Sequence, residues 1–174
     1  MLLDFFNTVI NLKNIPRQGW IDKLGLETSE SVSDHTFSMT VMSLIFSEIQ
    51  KLDTLKVLKM SLIHDLTESL TGDLTPNQIS KQEKIKLEKI TMNKILQDLP
   101  KELQAQLLVI WDEYLEQKTP ESIMVHELDK LEMALQAKIY EKKGNFDIQS
   151  FLDSAEQGIK NRKLKELFTK IINQ

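Results

Sequence analysis

Residues 54–76 of this chain, TLKVLKMSLIHDLTESLTGDLTP, contain the pattern that decides its fold. Apolar residues recur there every three or four positions and form two stripes, Leu55, Leu58, Leu62 and Leu66 on one side and Val57, Met60 and His64 on the other. This spacing predicts a helix that begins at Asp53 or Thr54 and ends near Asp65. A helix that is apolar on more than one side is typical of the centre of a fold, so we expect this one to be buried.

The same spacing predicts further helices at about residues 2–12, 34–51, 78–99, 100–117, 119–144, 148–158 and 160–172. Ser33 or Asp34 is the predicted cap of the second of these helices. Residues 14–33 contain two glycines and several Ser and Thr residues, and are predicted to form a long loop. Residues 67–76 are predicted to be broken at a glycine bend, with Thr75–Pro76 starting the next helix. The sequence therefore predicts an all-α, single-domain helical bundle over residues 1–174.

The composition excludes several classes of protein. Of the 174 residues, 41% are apolar and 28% are charged, which is enough for one hydrophobic core. The formal net charge of −4 argues against binding to nucleic acid polymers, because phosphate contacts need a basic face. The absence of cysteine excludes disulfides and thiolate metal sites. No segment approaches the ~18 apolar residues of a membrane span, and the first residues lack the basic flank of a signal peptide. We expect a cytoplasmic protein that does not bind membranes.

Four polar residues occupy helices that are otherwise apolar. His35 leads the apolar stripe that ends at Ile49, and His64 and Asp65 lie near the end of the central helix. Asp129 lies in the middle of a predicted helix among apolar neighbours such as Leu128 and Leu131. Each histidine taken alone is consistent with an ordinary hydrogen-bonded core residue. Two imidazoles and two carboxylates that converge from three helices would instead satisfy a divalent transition metal ion.

Four more residues are candidates for substrate chemistry. Glu68 follows His64 by four positions, so a continuing helix would place it beside the metal ligands. Asp73 follows a glycine. The plain alternative for Glu68 is a solvated residue at a helix end, and the plain alternative for Asp73 is an ordinary turn aspartate. Arg17 can bind a phosphate with two hydrogen bonds, and Trp20 can pack on a base or sugar. Their plain alternatives are a solvated arginine and a tryptophan at the edge of the core.

Two further features favour plain interpretations. His126 lies one helical turn before Asp129 and could bind a metal, but surface histidines on helices are common. The Lys and Glu residues from Lys81 to Lys94 alternate in sign at helical spacing, which is typical of a solvated helix face.

Four segments together resemble the HD-domain superfamily of metal-dependent phosphohydrolases, whose pattern is H…HD…D on a helical bundle. They are LK…RQGW (12–20), ESVSDHT (30–36), HDLTESLTGDLTP (64–76) and LDKLEMALQA (128–137). Their flanking residues are similar to the 5′-deoxynucleotidase-like subgroup, which removes phosphate from deoxyribonucleoside 5′-monophosphates. The resemblance extends over about residues 9–142 and leaves the helices at 148–172 unmatched.

The resemblance implies a role for each candidate. His35, His64, Asp65 and Asp129 would hold one divalent ion, cobalt or manganese, with nickel, iron, zinc and magnesium as alternatives. The other roles concern the substrate: Arg17 would bind its phosphate, Glu68 would orient or deprotonate the attacking water, Asp73 would position the substrate or protonate the leaving oxygen, and Trp20 would contact the sugar. In a bacterial member of the subgroup the Arg and Trp are adjacent, whereas two residues separate them here. Members pair into dimers, so a homodimer is expected.

Other functions remain open on the sequence alone. The same site could hydrolyse cyclic nucleotides, dinucleotides or nucleoside triphosphates. The chain could instead be a non-catalytic helical protein that binds a nucleotide, or a purely structural bundle. A phosphate-release assay on a panel of nucleotides separates these possibilities.

Overall fold

The computed structural model describes residues 2–174 and contains no β-strand within that range; Pro16 and Ser31 form an isolated antiparallel bridge. Its α-helices are α1 (Leu2–Asn11), α2 (Gln18–Leu24), α3 (Val32–Gln50), α4 (Thr54–Ile63), α5 (Glu68–Thr71), α6 (Lys81–Leu96), α7 (Lys101–Glu116), α8 (Pro120–Gly144), α9 (Gln149–Gly158) and α10 (Arg162–Ile172), with one 3₁₀ turn at Leu12–Asn14. The all-α prediction is confirmed. None of the described helices is both long enough and apolar enough to cross a membrane.

Two compact units make up the chain, and the first carries most of the candidate site. It takes the residues up to Phe37 together with Leu62–Asp112. Helix α1 packs against α5 and α6, and Asn11 Nδ2 donates a 2.6 Å hydrogen bond to the carbonyl oxygen of Ser69. Large buried side chains of this unit include Trp20, Met92, Leu96 and Trp111.

The second unit takes Ser38–Ser61 and Glu113–Gln174, and its C-terminal helices α9 and α10 pack on α8. Helix α8 begins where the sequence predicted. Thr119 Oγ1 accepts a hydrogen bond from the backbone N–H of Ser122, and Pro120 occupies the first turn, where a missing N–H costs nothing. Asn161 caps α10 in the same way, accepting from the N–H groups of Lys163 and Leu164.

Three local predictions are wrong. The loop at 14–33 contains the seven-residue helix α2, the helix predicted at 78–99 starts at Lys81, and the helix predicted to start at Ser33 or Asp34 starts earlier, at Val32. Thr75 accordingly does not cap a helix, because its N–H and hydroxyl both donate to the side chain of Gln78 in a turn. The actual cap is Ser80, which forms reciprocal hydrogen bonds with Glu83.

The prediction that the central helix is buried is confirmed for one of its two apolar stripes and is wrong for most of the other. Val57 and Met60 of α4 are fully buried, whereas Leu55 and Leu62 are 62% and 55% exposed. Helix α8 repeats the pattern, since Leu128 is buried and Ile139 is 45% exposed. Periodicity identifies an apolar face, but it does not say whether another element of the same chain covers that face.

Candidate active site

Three side chains converge on one carboxylate oxygen of the first unit. Asp65 Oδ2 lies 3.0 Å from His64 Nε2, 3.5 Å from Arg17 Nη1 and 4.0 Å from His35 Nε2. The two imidazole rings face each other edge to face, with centroids 5.5 Å apart, and both histidines are buried. The structure therefore brings together four of the residues predicted from the sequence.

The end of α4 produces this arrangement. The helix stops at Ile63, and residues 64–67 form turns before α5 begins at Glu68. The N–H of Leu66 donates to the carbonyl of Ile63 at 3.1 Å, and the N–H of Glu68 donates to the carbonyl of Asp65 at 3.0 Å. The apolar spacing therefore continues past Ile63 while the backbone leaves the helix.

Electrostatics distinguish Asp65 from the acids near it. Burial alone would raise the pKa of Asp65, but His64, Arg17 and His35 outweigh that effect and hold its pKa well below the ordinary value. The Nε2 atoms of His35 and His64 both lie within 4.0 Å of the ionised Asp65 Oδ2. Two imidazole nitrogens and a carboxylate oxygen are a donor set that suits a divalent transition metal ion. The residues present fit such an ion.

Glu68 and Asp73 have the opposite character. Glu68 is only 4% exposed, and its Oε2 accepts no hydrogen bond within the described chain. Burial, followed by the charges of Asp65 and Asp73, raises the pKa of Glu68 well above its ordinary value of 4.5. Burial also raises the pKa of Asp73, although Arg17 opposes the shift. A carboxyl group whose pKa moves towards neutrality can both accept and donate a proton under cellular conditions.

The segment around Arg17 is held in place by backbone hydrogen bonds. The N–H of Arg17 donates to the carbonyl of Glu30 at 2.9 Å, and its own carbonyl accepts from the Ser29 hydroxyl at 3.2 Å. The N–H of Gln18 donates to Asp73 Oδ2 at 2.9 Å. The hydrogen bond from Gln18, the residue after Arg17, therefore fixes the position of Asp73 relative to the backbone of Arg17.

Trp20 is a core residue in this structure. Its ring is 2% exposed, and its Nε1–H donates to Glu30 Oε1 at 2.9 Å. Contact between this ring and a sugar stays a prediction. Glu30 was missed by sequence reasoning, although it lies in the ESVSDHT segment; its role is to support both Trp20 and the backbone of Arg17.

Lys84 was also missed. It lies in the alternating Lys and Glu run that was predicted to be a solvated face, yet its Nζ is 3.7 Å from Glu68 Oε1 and donates to the carbonyl of Leu74 at 3.2 Å. Burial would lower the pKa of Lys84, but nearby acids, Glu68 first, raise it. No local sequence signal separates this lysine from the other lysines of α6.

Asp129 and His126 belong to the second unit. Asp129 lies in the middle of α8 and is partly buried, and its role as a metal ligand stays a prediction. His126 stacks on Tyr114 with ring centroids 4.0 Å apart, and its Nε2 lies 2.9 Å from the carbonyl oxygen of the same tyrosine. These contacts favour the plain interpretation of His126 as a structural residue.

Comparisons with known proteins agree with this geometry. A family model described as HD domain matches residues 9–172. The chain is 41% identical over 165 residues to the 5′-deoxynucleotidase HDDC2 of Dictyostelium discoideum, covering 87% of this chain and 86% of that protein. It is 38% identical over 176 residues to the 5′-deoxynucleotidase HDDC2 of Xenopus laevis, covering 99% of this chain and 87% of that protein.

A solved structure has the same fold as this chain. A conserved hypothetical protein from Pyrococcus furiosus superposes with a TM-score of 0.80 at 29% identity, covering 99% of each chain. The family model extends to residue 172, so it also includes the helices at 148–172, in which the sequence motifs alone show no resemblance. The family resemblance and the prediction of an enzyme are confirmed: this chain belongs to the HD domain family of proteins.

Proposed function

We propose that this protein is a metal-dependent phosphomonoesterase that hydrolyses ribo- or deoxyribonucleoside 5′-monophosphates to a nucleoside and phosphate. The observation that carries the proposal is the position of two acids, the buried Glu68 and the partly buried Asp73, beside the cluster of His35, His64, Asp65 and Arg17. The names of the curated relatives, 5′-deoxynucleotidases, support this choice of substrate.

His35, His64 and Asp65 would hold one divalent ion, and Asp129 is the proposed fourth ligand. Such an ion, when bound, lowers the pKa of a water molecule and draws negative charge from a phosphoryl oxygen. Cobalt or manganese remains the proposed identity, as the resemblance to the 5′-deoxynucleotidase-like subgroup implies, with nickel, iron, zinc and magnesium as alternatives.

The side chains around this cluster can supply the remaining chemistry. Arg17 places a guanidinium where it binds the phosphate dianion and offsets its repulsion of an incoming nucleophile. Glu68 accepts a proton from the water whose oxygen attacks phosphorus. As the bond between phosphorus and the 5′ oxygen breaks, Asp73 donates a proton to that oxygen, and the nucleoside leaves as a neutral alcohol. The raised pKa values of both carboxyl groups suit this exchange of protons.

We also propose that residues 1–174 form a single domain and that the protein is a cytoplasmic homodimer. The boundaries between the two units fall inside helices α3, α4 and α7, so no linker separates them. On α3, Phe37, Val41, Ile45 and Ile49 recur every fourth residue and are exposed, which forms an uncharged stripe. Monomeric proteins rarely leave such a stripe in water, and a second copy of the chain would cover it.

The deciding experiment is a phosphate-release assay on chelator-stripped protein, with single divalent metals added back. We expect release from nucleoside monophosphates, no activity without metal, and higher rates on 2′-deoxy substrates. Equal rates on ribo- and deoxyribonucleotides would remove only the sugar preference. Activity confined to cyclic nucleotides or triphosphates, or no activity with any metal, would contradict the proposed function.

A further inference from the structure

The ammonium group of Lys84 connects two parts of the candidate site. Lys84 lies in the first turn of α6, and its side chain is partly buried. Its Nζ donates to the carbonyl oxygen of Leu74 at 3.2 Å and lies 3.7 Å from Glu68 Oε1 and 3.8 Å from Glu88 Oε1. Leu74 directly follows Asp73, so one side chain contacts both the Glu68 carboxylate and the backbone that carries Asp73.

Few other contacts fix the Glu68 carboxylate. Its Oε2 is buried and accepts no hydrogen bond from any residue in the described chain. The ion pair from Lys84 to Oε1 is therefore a main constraint on which way the carboxylate plane points. A buried carboxylate with a single longer contact can rotate, and a small rotation is enough to misalign a proton transfer.

The charges around Lys84 keep its ammonium group protonated. Asp65, Glu68, Asp73 and Glu88 all raise the pKa of Lys84, against the effect of its burial, so the side chain stays charged. Arg17 is the other cation that acts on Glu68, and it contacts Asp65 rather than Glu68. Lys84 is accordingly the cation closest to the acid that the mechanism uses as a base.

We propose, on the basis of the phosphomonoesterase function above, that Lys84 is a positioning residue of the reaction. It fixes the Glu68 carboxylate and the Leu74 carbonyl relative to one another. Glu68 therefore stays aligned with the attacking water, and Asp73 stays aligned with the leaving oxygen. It acts through these groups and does not itself bind the substrate.

The test compares Lys84→Met with Lys86→Met, a control at an exposed lysine two residues further along α6. Lys84→Met removes the charge and keeps the length of the side chain. We expect kcat to fall ~10–100-fold, because small misplacements of reacting groups have effects of this size. KM should stay within about threefold, and metal content should not change, because Lys84 contacts neither the substrate nor a metal ligand side chain. Lys84→Arg should recover part of kcat, because it restores the charge, whereas Lys86→Met should equal the wild type.

Each contrary result has a definite meaning. Wild-type kcat in Lys84→Met would overturn the proposal, as would a rise in KM alone, which would make Lys84 a substrate-binding residue. Equal losses in Lys84→Met and Lys84→Arg together with a lowered melting temperature would make its role structural. Should Lys84→Met not fold, Lys84→Gln decides in its place, since it keeps a donor for the Leu74 carbonyl; full kcat there overturns the proposal. An inactive wild type would instead contradict the proposed function itself.

Discussion

Two lysines of this protein each lie between two glutamates, and the contacts differ. In the second unit, Lys56 Nζ lies 2.9 Å from Glu113 and 3.0 Å from Glu121. In the first unit, Lys84 Nζ lies 3.7 Å from Glu68 and 3.8 Å from Glu88. Burial would raise the pKa of Glu121, but its hydrogen bond from Lys56 prevails and lowers it. The pKa of Glu68 is raised instead.

The difference shows how one pair of residue types serves two purposes. Close contact with hydrogen bonds, as at Lys56, stabilises the ionised carboxylate and makes it a poor proton acceptor. Glu68 is more buried, its contact with Lys84 is longer, and Asp65 and Asp73 lie nearby. Its carboxylate therefore has a high affinity for protons. Such an arrangement opposes folding stability and favours acid–base chemistry, which is typical of active sites.

The largest effect is expected at Glu68. Glu68→Gln keeps nearly the same shape but removes the basic carboxylate, so turnover should fall ~10²–10⁴-fold with metal content and substrate affinity retained. Steady-state kinetics and metal analysis of the purified variant measure both quantities. Loss of metal would instead identify Glu68 as a ligand or its support. Wild-type turnover would return the acid to a plain structural role, with Asp73 as the next candidate base.

A smaller loss is expected at Arg17. Removing a charged hydrogen bond to the phosphate should cost ~1.5–3 kcal/mol, or roughly 10–150-fold in kcat/KM, with lower turnover and a higher KM. Metal content should not change in Arg17→Ala. The control is Lys13→Ala, an exposed cation nearby in the chain that should leave the kinetics unaltered. A specificity constant within about twofold of wild type would show that Arg17 does not contact the phosphate.

The smallest effect is on stability, and its sign should differ between the two clusters. Glu121 has a lowered pKa, so its contribution to stability is present above its ordinary value of 4.5 and is lost as pH falls through the lowered value. Glu121→Gln should therefore cost ~0.2–1 kcal/mol at pH 7 and leave activity intact. Glu68 has a raised pKa, so the folded state favours its protonated form and stability falls as pH rises above 4.5.

Glu68→Gln should accordingly melt at a higher temperature than the wild type near pH 7 in chelator-treated protein. Each 1 kcal/mol corresponds to ~2–4 °C for a chain of this size. Thermal unfolding of the wild type and both variants from pH 4 to pH 8 measures the two opposite signs. Destabilisation by both substitutions at pH 7 would mean that Glu68 is stabilised in the same way as Glu121, and the comparison would fail.

The segments that could be predicted from the sequence share a local cause. Helix α8 starts after Thr119 and ends at Gly144, as predicted, because its cap, its proline and its long apolar pattern all lie within one stretch. Helix α2 was missed because seven residues that include a glycine have little helix propensity of their own. Its place is fixed by tertiary contacts, namely the burial of Trp20 and the hydrogen bond from Gln18 to Asp73.

The sequence by itself determined the helical class and most helix boundaries, because periodicity and caps are properties of the chain. Motif spacing also nominated His35, His64, Asp65, Glu68 and Asp73 as the candidate site residues. The tertiary structure alone decided that Lys84 approaches Glu68 while Lys86 stays in solvent, and that Val57 is buried while Leu55 is exposed. Which side chains lose water depends on elements far apart in sequence, and burial in turn sets the pKa values on which the chemistry depends.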